Sequence, residues 1–98
     1  MDSATIQARV ADYFHLDPWI MQSAGPGSRT LRFSTARQIA MYLCRELTEE
    51  SYPAIGRAFH RDHSTVIAAC QKCEKRIEGS GAFADQIEAI RLYVTKTK

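Results

Sequence analysis

Early in the chain, apolar residues fall at Ile6, Val10 and Tyr13-Phe14 with mostly polar or small residues between them, the three-to-four-residue spacing of one helical face. Ser3 stands where an N-cap belongs, and His15 and Asp17-Pro18 mark an end, so an amphipathic helix is predicted between them. Asp17-Pro18 then reads as the cap and first residue of a short helical turn through Trp19, Ile20 and Met21, with Trp19 in the core. Gln22-Ser23-Ala24-Gly25-Pro26-Gly27-Ser28 is the one breaker-rich stretch, and it predicts a mobile loop running straight into Arg29 and Arg32.

Beyond the loop, Ser34 or Thr35 is placed to cap a long helix. Its apolar stripe is Ile39, Ala40, Leu43, Cys44 and Leu47, with Arg37, Arg45 and Glu46 lying off it. Ser51 caps a two-turn helix with Pro53 in its first turn, where a missing N–H does no harm, and that helix is over by about Phe59. His60-Arg61-Asp62 makes a tight connection, and Asp62 caps a further helix in which Val66, Ile67, Cys70, Cys73 and Ile77 keep helical period until Gly79-Ser80-Gly81. Phe83, Ile87, Ile90 and Val94 outline a final helix over residues 82–96. No segment alternates like a strand, so the predicted fold class is all-α: a compact helical bundle of about five to six helices.

The 98 residues are 45% hydrophobic and 24% charged, which predicts one domain over residues 1–98. At this size folding hides roughly 60–65% of the unfolded surface, enough for one core without metal or disulfides. No GxGxxG or GxxxxGK[ST] run occurs, so no nucleotide is expected to bind this chain. No apolar stretch approaches the roughly 20 residues of a membrane span, and residues 1–20 lack a signal pattern, so a cytoplasmic location is expected. Cys44, Cys70 and Cys73 are odd in number and without framework spacing, which predicts free thiols.

A net charge of +2 is weak for a nucleic-acid binder until it is resolved along the chain. Residues 1–28 hold one arginine against three aspartates, and residues 77–98 balance three basic against three acidic groups. Residues 29–76 carry nine basic and five acidic residues, a surplus of +4, as a phosphate-facing surface requires.

That basic segment also holds a short helix, a tight turn and a longer helix opening on Asp62-His63-Ser64-Thr65, the outline of a helix-turn-helix over about residues 51–78. In such a motif the second helix enters the DNA major groove with its first residues on base edges. His63, Ser64 and Thr65 suit that position, because hydroxyls donate to or accept from base edges and the threonine methyl meets a thymine methyl.

The run Ala36-Arg37-Gln38-Ile39-Ala40-Met41-Tyr42-Leu43-Cys44-Arg45-Glu46-Leu47-Thr48, then Ser51-Tyr52-Pro53-Ala54-Ile55-Gly56-Arg57-Ala58-Phe59, then Arg61-Asp62-His63-Ser64-Thr65-Val66, resembles the C-terminal DNA-binding domain of the bacterial replication initiator DnaA family. The resemblance implies an all-helical domain that reads a short duplex site in both grooves, as in origin recognition. By position it implies base contacts in the major groove from Asp62, His63, Ser64 and Thr65, and a minor-groove arginine at Arg29, with Arg32 as the alternative. It assigns Arg37, Gln38, Tyr52, Pro53, Arg61 and Lys72 to the phosphate backbone, with Arg32 joining them if Arg29 takes the minor groove; such contacts set register rather than sequence. A monomeric, nucleoid-associated, non-enzymatic protein whose partner is double-stranded DNA, with no cofactor, follows from the same likeness.

The chain departs from the family pattern at two places. The family most often has two glycines between the phenylalanine and the arginine, whereas only His60 stands here, which asks it to accept a left-handed backbone. Ser64 replaces the usual threonine and removes a methyl. The 98 residues also hold no nucleotide-binding module, so an excised domain and a small stand-alone relative both fit, the latter as a regulator with altered site preference; a helical protein-interaction module is the remaining alternative. A zinc site from His60-x-x-His63 and Cys70-x-x-Cys73 needs ligands converging at about 2.0–2.3 Å, yet His63 lies about two turns, roughly 10 Å, from Cys70 along the helix. Cysteine as a small buried hydrophobe is the better account. Catalysis lacks a third partner for Asp62 and His63.

Overall fold

The computed structural model describes residues 1–23 and 30–96, and the predicted loop therefore falls largely outside the described residues, Arg29 with it. Five α-helices and one 3-10 turn are present among the described residues: α1 (Ser3–Tyr13), the 3-10 turn (Pro18–Met21), α2 (Leu31–Leu47), α3 (Tyr52–Ala58), α4 (His63–Gly79) and α5 (Gly81–Lys96). No strand occurs among them, in keeping with the all-α expectation.

The caps of α3 and α4 are those read from the sequence. Ser51 Oγ accepts the Ala54 N–H at 3.2 Å, and the Asp62 carboxylate accepts the Ser64 N–H at 3.0 Å. Two other caps differ. Asp2, not Ser3, caps α1 by accepting the Thr5 N–H at 2.9 Å. Ser3 is instead buried in the first turn, where its hydroxyl donates to Glu50 Oε1 at 2.6 Å. Either residue has the chemistry of a cap, and the distant Glu50 decides between them. Likewise α2 begins at Leu31, capped by Thr30 Oγ1 on the Phe33 N–H at 3.3 Å, rather than after Ser34 or Thr35. Leu31 and Arg32 are good helix formers, so the helix extends back to the first available cap, and Arg32 lands in its opening turn.

One hydrophobic cluster draws on every element, with Ile6 and Val10 from α1, Ile20 and Met21 from the 3-10 turn, Ile39 and Leu43 from α2, Ile55 and Phe59 at α3, Val66 from α4, and Ile87, Ile90 and Val94 from α5. Trp19 does not join it: the residue is 51% exposed, and its ring meets Phe33 edge-on at 6.4 Å. The 3-10 turn buries Ile20 and Met21, and a single short turn presents too narrow a face to bury a third large side chain. The three cysteines are buried, and burial pushes Cys44 up to about 12 and Cys70 and Cys73 up to about 11. They pack as small hydrophobes.

The joint between α3 and α4 rests on a close backbone approach at Gly56. A Cβ there would lie 2.7 Å from the Arg61 carbonyl oxygen and 3.3 Å from the His63 nitrogen, so only glycine lets the turn fold against α3. The Arg61 N–H donates to Gly56 O at 2.8 Å. His60 takes φ 56, the left-handed conformation anticipated for the shortened turn; His15, which closes α1, takes φ 58 without having been anticipated.

Candidate nucleic-acid interface

The first turn of α4 is exposed and polar. Asp62, His63, Ser64 and Thr65 are all exposed, and the His63 ring nitrogen Nδ1 lies 3.9 Å from Asp62 Oδ1. Ser64 Oγ donates to Asp62 Oδ2 at 2.5 Å, so its proton is engaged and its lone pairs are what remain for a ligand. Hydrogen bonds from the Ser64 hydroxyl and N–H, with a smaller contribution from His63, hold the Asp62 carboxyl below its usual 3.8. The turn thus presents an imidazole, two hydroxyls and a fixed carboxylate at a helix N-terminus.

Beside it, a cleft of about 210 Å³ opens between α2 and α4, lined by Ser34, Arg37, Gln38, Met41, Arg61, Thr65, Ala68, Ala69 and Lys72. Five residues expected at DNA, Arg37, Gln38, Arg61, Thr65 and Lys72, meet there although 35 positions separate the first from the last. Arg37 was expected off the apolar stripe of its helix; it is 9% exposed, and its guanidinium donates to Ile20 O at 3.1 Å. Burial lowers the pKa of Arg37 and so does the positive charge of Arg61, while burial lowers that of Arg61. Both still carry charge at neutral pH, because arginine starts so high. Two partly desolvated cations that repel one another favour an anion nearby.

The remaining expected contacts are not in this cleft. Tyr52 is half-buried in the first turn of α3 with the Arg45 guanidinium 4.2 Å over its ring, and it lines a separate groove with Tyr42, Glu46 and Glu74. Pro53 is exposed on the same turn, and Arg32 is exposed with its guanidinium donating to Phe14 O at 2.6 Å. Sequence reasoning passed over Ser34, Met41, Ala68 and Ala69 as lining residues. The helical period held that signal: Ala68 and Ala69 fall between Thr65 and Lys72 on one face of α4, and Ser34 lies three and four positions before Arg37 and Gln38.

Residues 3–73, from the start of α1 into the middle of α4, match the family described as bacterial dnaA protein helix-turn-helix. Over 82 residues the chain is 48% identical to the chromosomal replication initiator protein DnaA of Mycobacteroides abscessus, an alignment covering 84% of this chain and 15% of that protein. The chain therefore corresponds to a small part of that relative's length. The matched region contains α3, the His60 turn and the exposed start of α4, together with every residue of the cleft. The chain belongs to the bacterial DnaA helix-turn-helix family.

Proposed function

We propose that this chain binds double-stranded DNA sequence-specifically, with the first turn of α4 in the major groove and the basic segment at Arg29 in the minor groove. Asp62, His63, Ser64 and Thr65 read base edges; Arg32, Arg37, Gln38, Tyr52, Pro53 and Lys72 grip phosphates. The observation that carries the reading is the exposed polar start of α4 lying beside a cleft lined by Arg37, Gln38 and Lys72. A phosphate held against Arg37 and Lys72 in the cleft sets the helix start at groove depth. Since the M. abscessus relative is named a replication initiator, the duplex is taken to be a replication-origin site, bound by one copy of a single domain over residues 1–98 without nucleotide. The module's work is recognition rather than catalysis, at the nucleoid.

Selection of bound duplexes from a random pool, followed by salt titration, tests the reading. With Z phosphates engaged, log affinity falls against log salt with a slope near −0.9Z. His63→Ala weakens the selected site by about 1–3 kcal/mol and compresses its preference over random duplex. Arg37→Ala lowers affinity for all duplexes alike and reduces the slope by about one unit. Binding indifferent to salt refutes the electrostatic part, and a reversal of the two variants' effects refutes the assignment of roles.

A further inference from the structure

Left-handed His60 closes α3 as a glycine would, its N–H donating to Arg57 O at 3.2 Å and that of Arg61 to Gly56 O at 2.8 Å, and the two carbonyls this cap leaves over, those of Ala58 and Phe59, are taken by side chains. Ala58 O accepts from Gln7 Nε2 at 3.0 Å and from Gln22 Nε2 at 3.2 Å. Phe59 O accepts from Arg61 Nη1 at 2.7 Å. The same guanidinium reaches across to the far side of the sequence, where Nη2 donates to Ser23 O at 2.6 Å and Nη1 lies 3.5 Å from Met21 O. Arg61 thus joins the end of α3 to the last described residue before the segment that carries Arg29.

From this geometry we infer that Arg61 is a positioning residue, tethering the helix-turn-helix joint to the point where the chain leaves the 3-10 turn for Arg29, in place of the phosphate contact that the family resemblance implies. The inference rests on the DNA-binding reading above for its consequence, though not for the tether itself. Two observations support the assignment. Arg61 directly precedes Asp62, the cap of the reading helix, and its own N–H is bonded to Gly56 O, so both its backbone and its side chain are held. Its planar fork reaches two elements at once, a task a lysine's single ammonium performs poorly. A duplex read in both grooves demands a set spacing between the major-groove helix and the minor-groove arginine. Arg61 and the Gln22 side chain are the polar links described between those two parts.

The test compares wild type, Arg61→Lys and Arg61→Ala in the full chain by two measurements. The first is amide exchange, without DNA, at Gln22 and Ser23, whose N–H groups both bond to Trp19 O at 3.1 Å. The second is the ratio of affinities for the selected duplex and a scrambled duplex, with the salt slope, on protein titrated for active fraction. The tether predicts about tenfold faster exchange and about tenfold lower selectivity in both variants with an unchanged slope, since the lost bonds are those of a charged donor. A merely structural role leaves the selectivity ratio of the active fraction unmoved and overturns the inference. A phosphate contact also overturns it: Arg61→Lys then keeps selectivity and exchange, while Arg61→Ala weakens both duplexes equally and flattens the slope by about one unit. Should Arg61→Ala fail to fold, Arg61→Lys decides alone. Should wild type bind neither duplex, the DNA-binding reading fails, and the exchange rates decide the tether by themselves, faster supporting it and unchanged overturning it.

Discussion

Replacing Gly56 by alanine sets two effects against each other at the helix-turn-helix joint. Alanine in a helix gains about 0.5–1 kcal/mol over glycine through a lower loss of chain entropy. Against that gain, the new Cβ would sit 2.7 Å from the Arg61 carbonyl oxygen, a backbone atom with no rotamer to swing away. Relief requires the whole turn to move off α3, an overpacking penalty of about 1–3 kcal/mol. The move also stretches the 2.8 Å bond from the Arg61 N–H to Gly56 O, removing about 1 kcal/mol more. The clash wins, leaving a net loss of about 1–3 kcal/mol and a melting temperature lower by about 5–15 °C in far-UV circular dichroism. Gly79→Ala is the control, because nothing lies within 4 Å of its added Cβ, and its stability should hold or rise slightly. Because the displaced atoms belong to Arg61, Asp62 and His63, selectivity for the preferred duplex should fall further than the fraction of folded protein explains. A melting temperature for Gly56→Ala equal to or above wild type refutes the close approach and the account of the joint built on it.

Acid melting of Asp62→Ala offers a second check: the lowered native pKa of Asp62 means its stabilisation is complete above about 3.8 and is lost as the pH falls through the native value, so the variant should lose less stability than wild type on acidification. Equal acid sensitivity of the two proteins counts against the cap. All three cysteines should resist alkylation in the native protein near pH 8 and react fully once unfolded, and the stability of their protonated thiols, complete below the ordinary 9.0, should be lost as the pH climbs toward about 11–12; rapid native labelling would contradict their burial. Replacing His60 with Gly-Gly should restore part of the selectivity that a short, glycine-free turn forgoes, read by competition between selected and scrambled duplexes at one salt concentration, and equal selectivity before and after would show that φ 56 at His60 is accommodated without consequence.

Features that depend on neighbours a few positions apart were legible before any folding was considered. The stripe Ile39, Leu43 with Ala40 and Cys44, the set Phe83, Ile87, Ile90, Val94, and the caps Ser51 and Asp62 were all legible, because a helix brings residues three and four apart together whatever surrounds it. The left-handed His60 was legible too, from the absence of glycine in a turn that needs one. Tertiary structure decided the rest, wherever two residues competed for one role or a partner lay far along the chain. Ser3 lost the cap to Asp2 because Glu50, 47 positions away, takes its hydroxyl. Trp19 stayed exposed because Ile20 and Met21 fill the only buried face of the 3-10 turn. Arg37 and Arg61 carry the same charge in any reading of the chain, yet the carbonyls they donate to, Ile20 O and Ser23 O, lie 17 and 38 positions away. Charge and helical period are properties of a segment; which carbonyl an arginine finds is settled by how segments pack, since burying a guanidinium is tolerable only where acceptors converge on it.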